Sequence, residues 1–151
     1  MNEAAQSTFV YVTYIRTSAE RLWAALTQPQ FSRQYWFGTD FASEWKTGAD
    51  WQLKFADGRI ADHGTVLEID PPRRLVIQWQ HELRPELKAE GAAKCTFELE
   101  PTGEIVKLTV THTHPQADSK LIAAVSGGWP KILSNLKSLL ETGAVLMTEK
   151  N

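Results

Sequence analysis

Asp62 and His81 are the two residues whose types and spacing most suggest shared chemistry. The stretch "ADGR" (56–59) carries Asp57-Gly58, the preferred pair for a two-residue type I′ hairpin. That turn predicts Phe55 opposite Ile60, Leu53 opposite Asp62 and Trp51 opposite Gly64. Asp62 then faces inward beside Leu53, and one allowed register of the following hairpin sets His81 against it. A carboxylate and an imidazole buried side by side can orient a polar ligand or move a proton. The competing expectation is an Asp62 solvated at a frayed end of the sheet.

Histidine and cysteine supply a second constellation. His112-Thr113-His114 puts two imidazoles on one face of a strand. The turn "PTGE" (101–104) predicts Leu99 opposite Val106, Phe97 opposite Leu108, Cys95 opposite Val110 and Ala93 opposite His112. In that register the apolar sets of both strands share a face, which a slip of one residue would destroy. Cys95 lies one diagonal step from His112. A structural zinc site needs three or four converging ligands. Only these three can be gathered, with His114 reaching past the sheet edge, so the expectation is a satisfied edge histidine pair and no metal. Cys95, between Lys94 and Thr96 and turned toward core residues, reads as an inert buried thiol. There is no glycine-flanked serine elbow, phosphate loop or dinucleotide fingerprint. No catalytic residue and no cofactor is therefore assigned.

The six tryptophans are the unusual feature of the composition. Trp36, Trp51, Trp79 and Trp129 fall on elements that would surround a gap between helix and sheet. There they would either wall a pocket for an aromatic or polycyclic ligand or simply fill the core. Trp23 belongs to the core face of a helix, and Trp45 has no assigned place. With Leu53, Phe97, Gly128, His112 and the Asp62–His81 pair, these four indoles make up the candidate ligand-binding set.

The elements that must position these residues follow from periodicity. "TFVYVTYIR" (8–16) is β-branched and aromatic and predicts a strand. Thr17 with Glu20 forms a capping-box pattern, after which Leu22, Trp23 and Leu26 share a helical face. "PQFSRQYWF" (29–37) predicts a second short helix with Pro29 at its first position. Strands are expected over about 41–46, 49–56, 59–69, 74–81, 93–100 and 104–114, with the spacing of an antiparallel meander. Near "DPPRR" (70–74), Leu67 and Ile69 favour one strand face while Ile60 and Val66 favour the other; a bulge would reconcile them. A long helix starts at Asp118 as N-cap, carries apolar residues at helical spacing from Leu121 to Leu140, and ends at Gly143.

Within that helix, "SGGWPKIL" (126–133) holds its poorest helix formers. Gly127 and Gly128 either let backbones approach or leave room for a ligand. Pro130 cannot donate to the carbonyl of Ser126, which predicts a kink. A second helix beginning at Pro130 is the rival reading, but the unbroken apolar stripe favours one kinked helix.

With 151 residues, 42% hydrophobic and 23% charged, the chain suits one globular domain over 1–151, its ordered core spanning about 8–143. A net charge of −2 without a basic stripe argues against nucleic acid. No apolar run approaches the ~20 residues of a membrane span. No signal peptide is visible at the start, and a single cysteine suits a reducing, cytoplasmic location.

Strand, two short helices, meander, long helix is the helix-grip order. It predicts an α+β fold in which a curved antiparallel sheet of six to seven strands wraps the C-terminal helix. Four stretches, "TSAERLWAALTQPQFSRQYW", "WKTGADWQLKFADGR", "GTVLEIDPPRRLVIQW" and "GGWPKILSNLKSLL", run in the order of a known family and span about residues 9 to 142. On them the chain resembles the START-related helix-grip superfamily (SRPBCC), in the group named after the activator of heat-shock-protein ATPase. That resemblance implies the fold and several possible activities, since relatives include lipid and hormone binders, polyketide cyclases, toxin-sequestering proteins and co-chaperones. The leading expectation is non-catalytic binding of a small hydrophobic or aromatic molecule between the long helix and the sheet. A co-chaperone-like module acting on a heat-shock ATPase, and a cyclase or hydratase working through Asp62 and His81, are the alternatives.

Overall fold

The computed structural model describes residues 6–149. In the first strand, β1 (Ser7–Arg16), exposed Val10, Val12 and Tyr14 alternate with Phe9, Tyr11 and Ile15, which pack on the core. Two short helices follow, α1 (Ala19–Thr27) and α2 (Pro29–Tyr35), the latter with Pro29 at its first position. The cap of α1 is Ser18 rather than the expected Thr17: its Oγ accepts the Arg21 N–H at 3.1 Å. Glu20 thus sits in the first turn, favourable for the helix dipole, but one place short of closing a capping box. Trp23 is half-buried against the core.

The meander comprises β2 (Asp40–Ser43), β3 (Asp50–Lys54), β4 (Ile60–Asp70) and β5 (Arg74–His81), then a short helix α3 (Pro85–Lys88), β6 (Ala93–Thr102) and β7 (Ile105–His114). All seven strands join in one antiparallel sheet of order β1-β7-β6-β5-β4-β3-β2. The final helix, α4 (Lys120–Thr142), packs mainly on β1 and also touches β7 and α2. This is the α+β helix-grip arrangement. Helix α3 was not foreseen, and it reappears at the site.

Two hairpins depart from the expected registers. Trp51 faces Gly64 and Leu53 faces Asp62 as predicted, but Lys54 rather than Phe55 then pairs with Ile60. The Phe55 N–H donates to the Arg59 carbonyl and the Gly58 N–H to the Phe55 carbonyl, both at 2.9 Å. Of the Asp57-Gly58 pair only Gly58 has positive φ (91°), whereas a type I′ turn needs two such residues. The loop is the three-residue form with glycine in the left-handed position.

In the second hairpin, Cys95 faces His112, Phe97 faces Val110 and Leu99 faces Leu108, a slip of two residues from the expected pairing. The chain reverses at Gly103-Glu104, between Thr102 and Ile105, with Gly103 at φ 62° in the first loop position. A slip of two leaves every side chain on its original face, so coincidence of the apolar sets cannot detect it.

The bulge expected in β4 is present. Pairing jumps between Val66 opposite Ile77 and Glu68 opposite Val76, which turns Leu67 outward to 43% exposure while Val66 stays buried. Helix α4 is continuous through Pro130. Its N-cap is Ser119, whose Oγ accepts the Ile122 N–H at 3.2 Å, and not Asp118, which occupies a left-handed conformation just before it. Gly143 closes the helix in the left-handed region, its N–H donating to the Leu139 carbonyl.

Candidate functional site

Asp62 stands in β4 directly opposite His81 in β5. It is 7% exposed, which removes the reading of a solvated, frayed end. Its Oδ1 receives two donors, the His81 ring at Nδ1 (2.8 Å) and the Trp79 indole at Nε1 (2.9 Å). With an ionised carboxylate, which only accepts, the proton of that contact lies on Nδ1, and in the neutral form of the ring Nε2 is then an acceptor. His81 Nε2 is buried and has no hydrogen-bond partner among the described residues. Carboxylate, oriented imidazole and one free ring nitrogen together form the arrangement that positions a base or anchors a donor.

A cavity of about 200 Å³ lies beside this pair, between the N-terminal half of α4 and the sheet. Leu53 of β3, Asp62 of β4, and Trp79 and His81 of β5 line it from the sheet. Trp36 comes from the end of α2, and Gly128 and Trp129 come from α4. These are seven of the ten expected ligand-binding residues, brought together from three strands and two helices far apart in sequence.

The other three, Trp51, Phe97 and His112, do not line the cavity. Trp51 is fully buried, packs on Trp79 with ring centroids 4.8 Å apart, and donates from Nε1 to the Gln78 carbonyl. Phe97 meets Trp129 edge-on at 5.8 Å. His112 accepts the Trp129 Nε1–H at Nδ1 (3.1 Å) and packs against Trp79 with the two rings tilted by 59°. Each of them fixes an indole that does face the cavity. The tryptophans therefore take both roles that the sequence allows, core filling for Trp51 and pocket wall for Trp36, Trp79 and Trp129.

The expected edge histidine pair is corrected as well. Strand β7 is flanked by β1 and β6, so His112 lies inside the sheet with no exposure. Burial, aided by nearby His114, pushes its pKa down to about 3, and it stays neutral. His114 is also buried and donates from Nε2 to the Glu90 carbonyl at 3.0 Å, with Nδ1 accepting the Gln116 N–H. Cys95 is fully buried, and desolvation raises its thiol pKa. No group of three His, Cys, Asp or Glu among the described residues is arranged to hold a metal ion.

Sequence reasoning missed the cavity's outer wall. Leu83, Arg84 and Leu87 of the α3 segment line it, as do Phe37 and Phe55 from loops. Pro85 with Glu86 after it was a helix-start signal that could have revealed α3. The α3 segment is tied to α4 by Glu90. Its Oε1 accepts from Ser119 Oγ (2.6 Å) and the Leu121 N–H (3.1 Å), and its Oε2 accepts the Lys120 N–H (2.7 Å). Trp45, unplaced by sequence, lies two residues past the end of β2 with φ 51° and donates from its indole to the Thr27 carbonyl at 2.8 Å.

No helix among the described residues is long and apolar enough to cross a membrane. Comparison with curated proteins finds no match. Among solved structures, protein MLL2253 from Mesorhizobium loti is 25% identical with a TM-score of 0.74, covering 89% of this chain and 96% of its own. An HSP90 activator from Plasmodium falciparum, PFC0360w, is 20% identical with a TM-score of 0.71, covering 88% and 95%. DynU16, from the dynemicin biosynthetic locus, is 22% identical with a TM-score of 0.71; 91% of this chain matches 48% of that longer one. The last two likenesses, both below 25% identity, speak for the fold alone. The family model described as "Activator of Hsp90 ATPase homolog 1-like protein" matches residues 16–141, and the chain belongs to that family.

Proposed function

We propose that this chain is a non-catalytic binding domain for a small aromatic molecule, held between α4 and the sheet. The observation that carries the reading is the cavity itself: indole and aliphatic walls with one buried polar pair, Asp62–His81. A concave, mostly apolar site with a few placed polar groups is the usual form of a ligand pocket. Its size sets the ligand class. At about 200 Å³ it somewhat exceeds the roughly 150 Å³ apolar cavity known to admit benzene. That favours a single substituted ring over a lipid chain or a polycycle.

Three indoles at the cavity make intrinsic fluorescence the direct test, paired with thermal shift. Small aromatic compounds should perturb the emission and raise Tm, and fatty acids and flavonoids should act weakly. Silence across the whole panel would reduce the gap to ordinary core.

The family match favours one second reading, a co-chaperone-like module that stimulates an Hsp90-type ATPase. ATP turnover by such an ATPase, measured with and without this chain, tests it. An unchanged rate removes it.

A further inference from the structure

We infer that the ligand of this cavity is a phenol-type molecule, an aromatic ring whose hydroxyl donates to Nε2 of His81. The inference rests on the binding function proposed above and names the chemistry that function selects. Its basis is an accounting of polar atoms around the cavity. Thr39 gives its hydroxyl proton to the Trp36 carbonyl, Trp79 donates to Asp62, and Trp129 donates to His112. Arg84 pairs with Glu86. His81 differs from all of these: Nδ1 is committed to Asp62, while Nε2 is buried with neither a partner among the described residues nor contact with solvent.

A buried acceptor left unmade is unfavourable, so a ligand that supplies a donor there relieves a cost already present in the empty protein. The tautomer decides the sign of the match. With the proton on Nδ1 and the ring neutral, Nε2 takes a donor and rejects an acceptor. A carboxylate placed there would bring no proton and would face the charge of Asp62. A neutral hydroxyl meets the requirement, and the indole walls fit the flat ring that carries it.

The experiment compares p-cresol with p-xylene, which match in shape and differ in one hydroxyl for methyl. Affinities of the full chain for both are measured by tryptophan fluorescence and thermal shift. The expected result is p-cresol bound about tenfold or more tighter, with the difference collapsing in His81→Phe. A second readout needs no variant: in the wild-type chain, the ¹⁵N resonance of His81 Nε2 should move on adding p-cresol and stay fixed on adding p-xylene. Equal affinities, a preference that survives His81→Phe in folded protein, or an Nε2 resonance indifferent to p-cresol each overturn the phenol inference while leaving the cavity a ligand site. If neither compound binds, the proposed binding function falls and takes this inference with it.

Discussion

The indole of Trp51 reaches across Gly64 to the next strand, its Nε1 donating to the carbonyl of Gln78 at 2.8 Å. The crossing is possible because Gly64 has no side chain. A Cβ at that position would lie 1.8 Å from the Gln78 oxygen and 2.8 Å from Trp51 Nε1. The close partner is backbone, which cannot swing aside. Gly64→Ala should therefore cost about 3 kcal/mol or more, and Trp51 emission should change as the indole is displaced. Urea unfolding followed by fluorescence checks this; a loss under about 1 kcal/mol would mean the sheet opens there at little cost.

Gly128 presents the opposite case. A Cβ there meets nothing within 4 Å, and the residue lines the cavity inside a regular helix. Close backbone approach is thus not why this glycine is present; under the proposed binding function, it leaves room for the ligand. Gly128→Ala should be neutral or stabilising by up to about 1 kcal/mol, since alanine is the better helix former. Gly128→Leu should fold and yet lose small-aromatic binding, because the side chain enters the cavity. Thermal melts with and without ligand separate the two effects. A Leu variant that binds as the wild type does would show that the ligand sits elsewhere.

These two glycines also mark how far the sequence could be read. Strand faces were legible because their period of two survives any even slip, which is why the inward side of Phe97 was predictable and its partner, Val110, was not. Asp62 opposite His81 was only one of the registers the hairpin at 70–74 allowed, because the bulge between Val66 and Glu68 sets the count and its position is decided by packing. The direction of Gly128 was open, since the same residue serves a tight contact or a void, and only packing distinguishes them. The burial of His112 was hidden because it depends on β1 joining the sheet beside β7, a pairing between the chain's beginning and residues about a hundred positions later. Helix α3 is four residues long, too short for periodicity to register.

His112 makes stability depend on pH in a window where carboxylates are silent. Burial holds it neutral in the folded state down to about pH 3, whereas the unfolded side chain titrates near 6.5. Between those values the unfolded state binds more protons, so stability falls as pH falls. From pH 6.5 to 5.0 the loss from this group is about 1.5 kcal/mol. In His112→Gln, whose amide oxygen can still accept from Trp129, that part of the slope should vanish although overall stability drops. Urea midpoints at the two pH values, for both proteins, check it. Parallel slopes would mean that His112 is protonated in the folded protein within this range.

Glu90 acts lower on the pH scale and at the edge of the cavity. Its carboxylate caps α4 across thirty residues of sequence, binding the Lys120 and Leu121 amides and the Ser119 hydroxyl. Partial burial raises its pKa, but those three hydrogen bonds outweigh the desolvation and hold it below the ordinary glutamate value. A depressed folded-state pKa stabilises above the unfolded value, near 4.3, and that contribution disappears as pH falls through the folded one. Glu90→Ala should cost about 1–2 kcal/mol at pH 7, as loss of a helix cap does. The difference from wild type should hold between pH 7 and 5 and shrink below about 4. Because Glu90 also fastens the segment bearing Leu83 and Leu87, the variant should expose the cavity, seen as faster hydrogen exchange at Lys120, Leu121 and Leu87. If exchange quickens at the α4 amides and not at Leu87, the carboxylate caps the helix without holding α3 over the site.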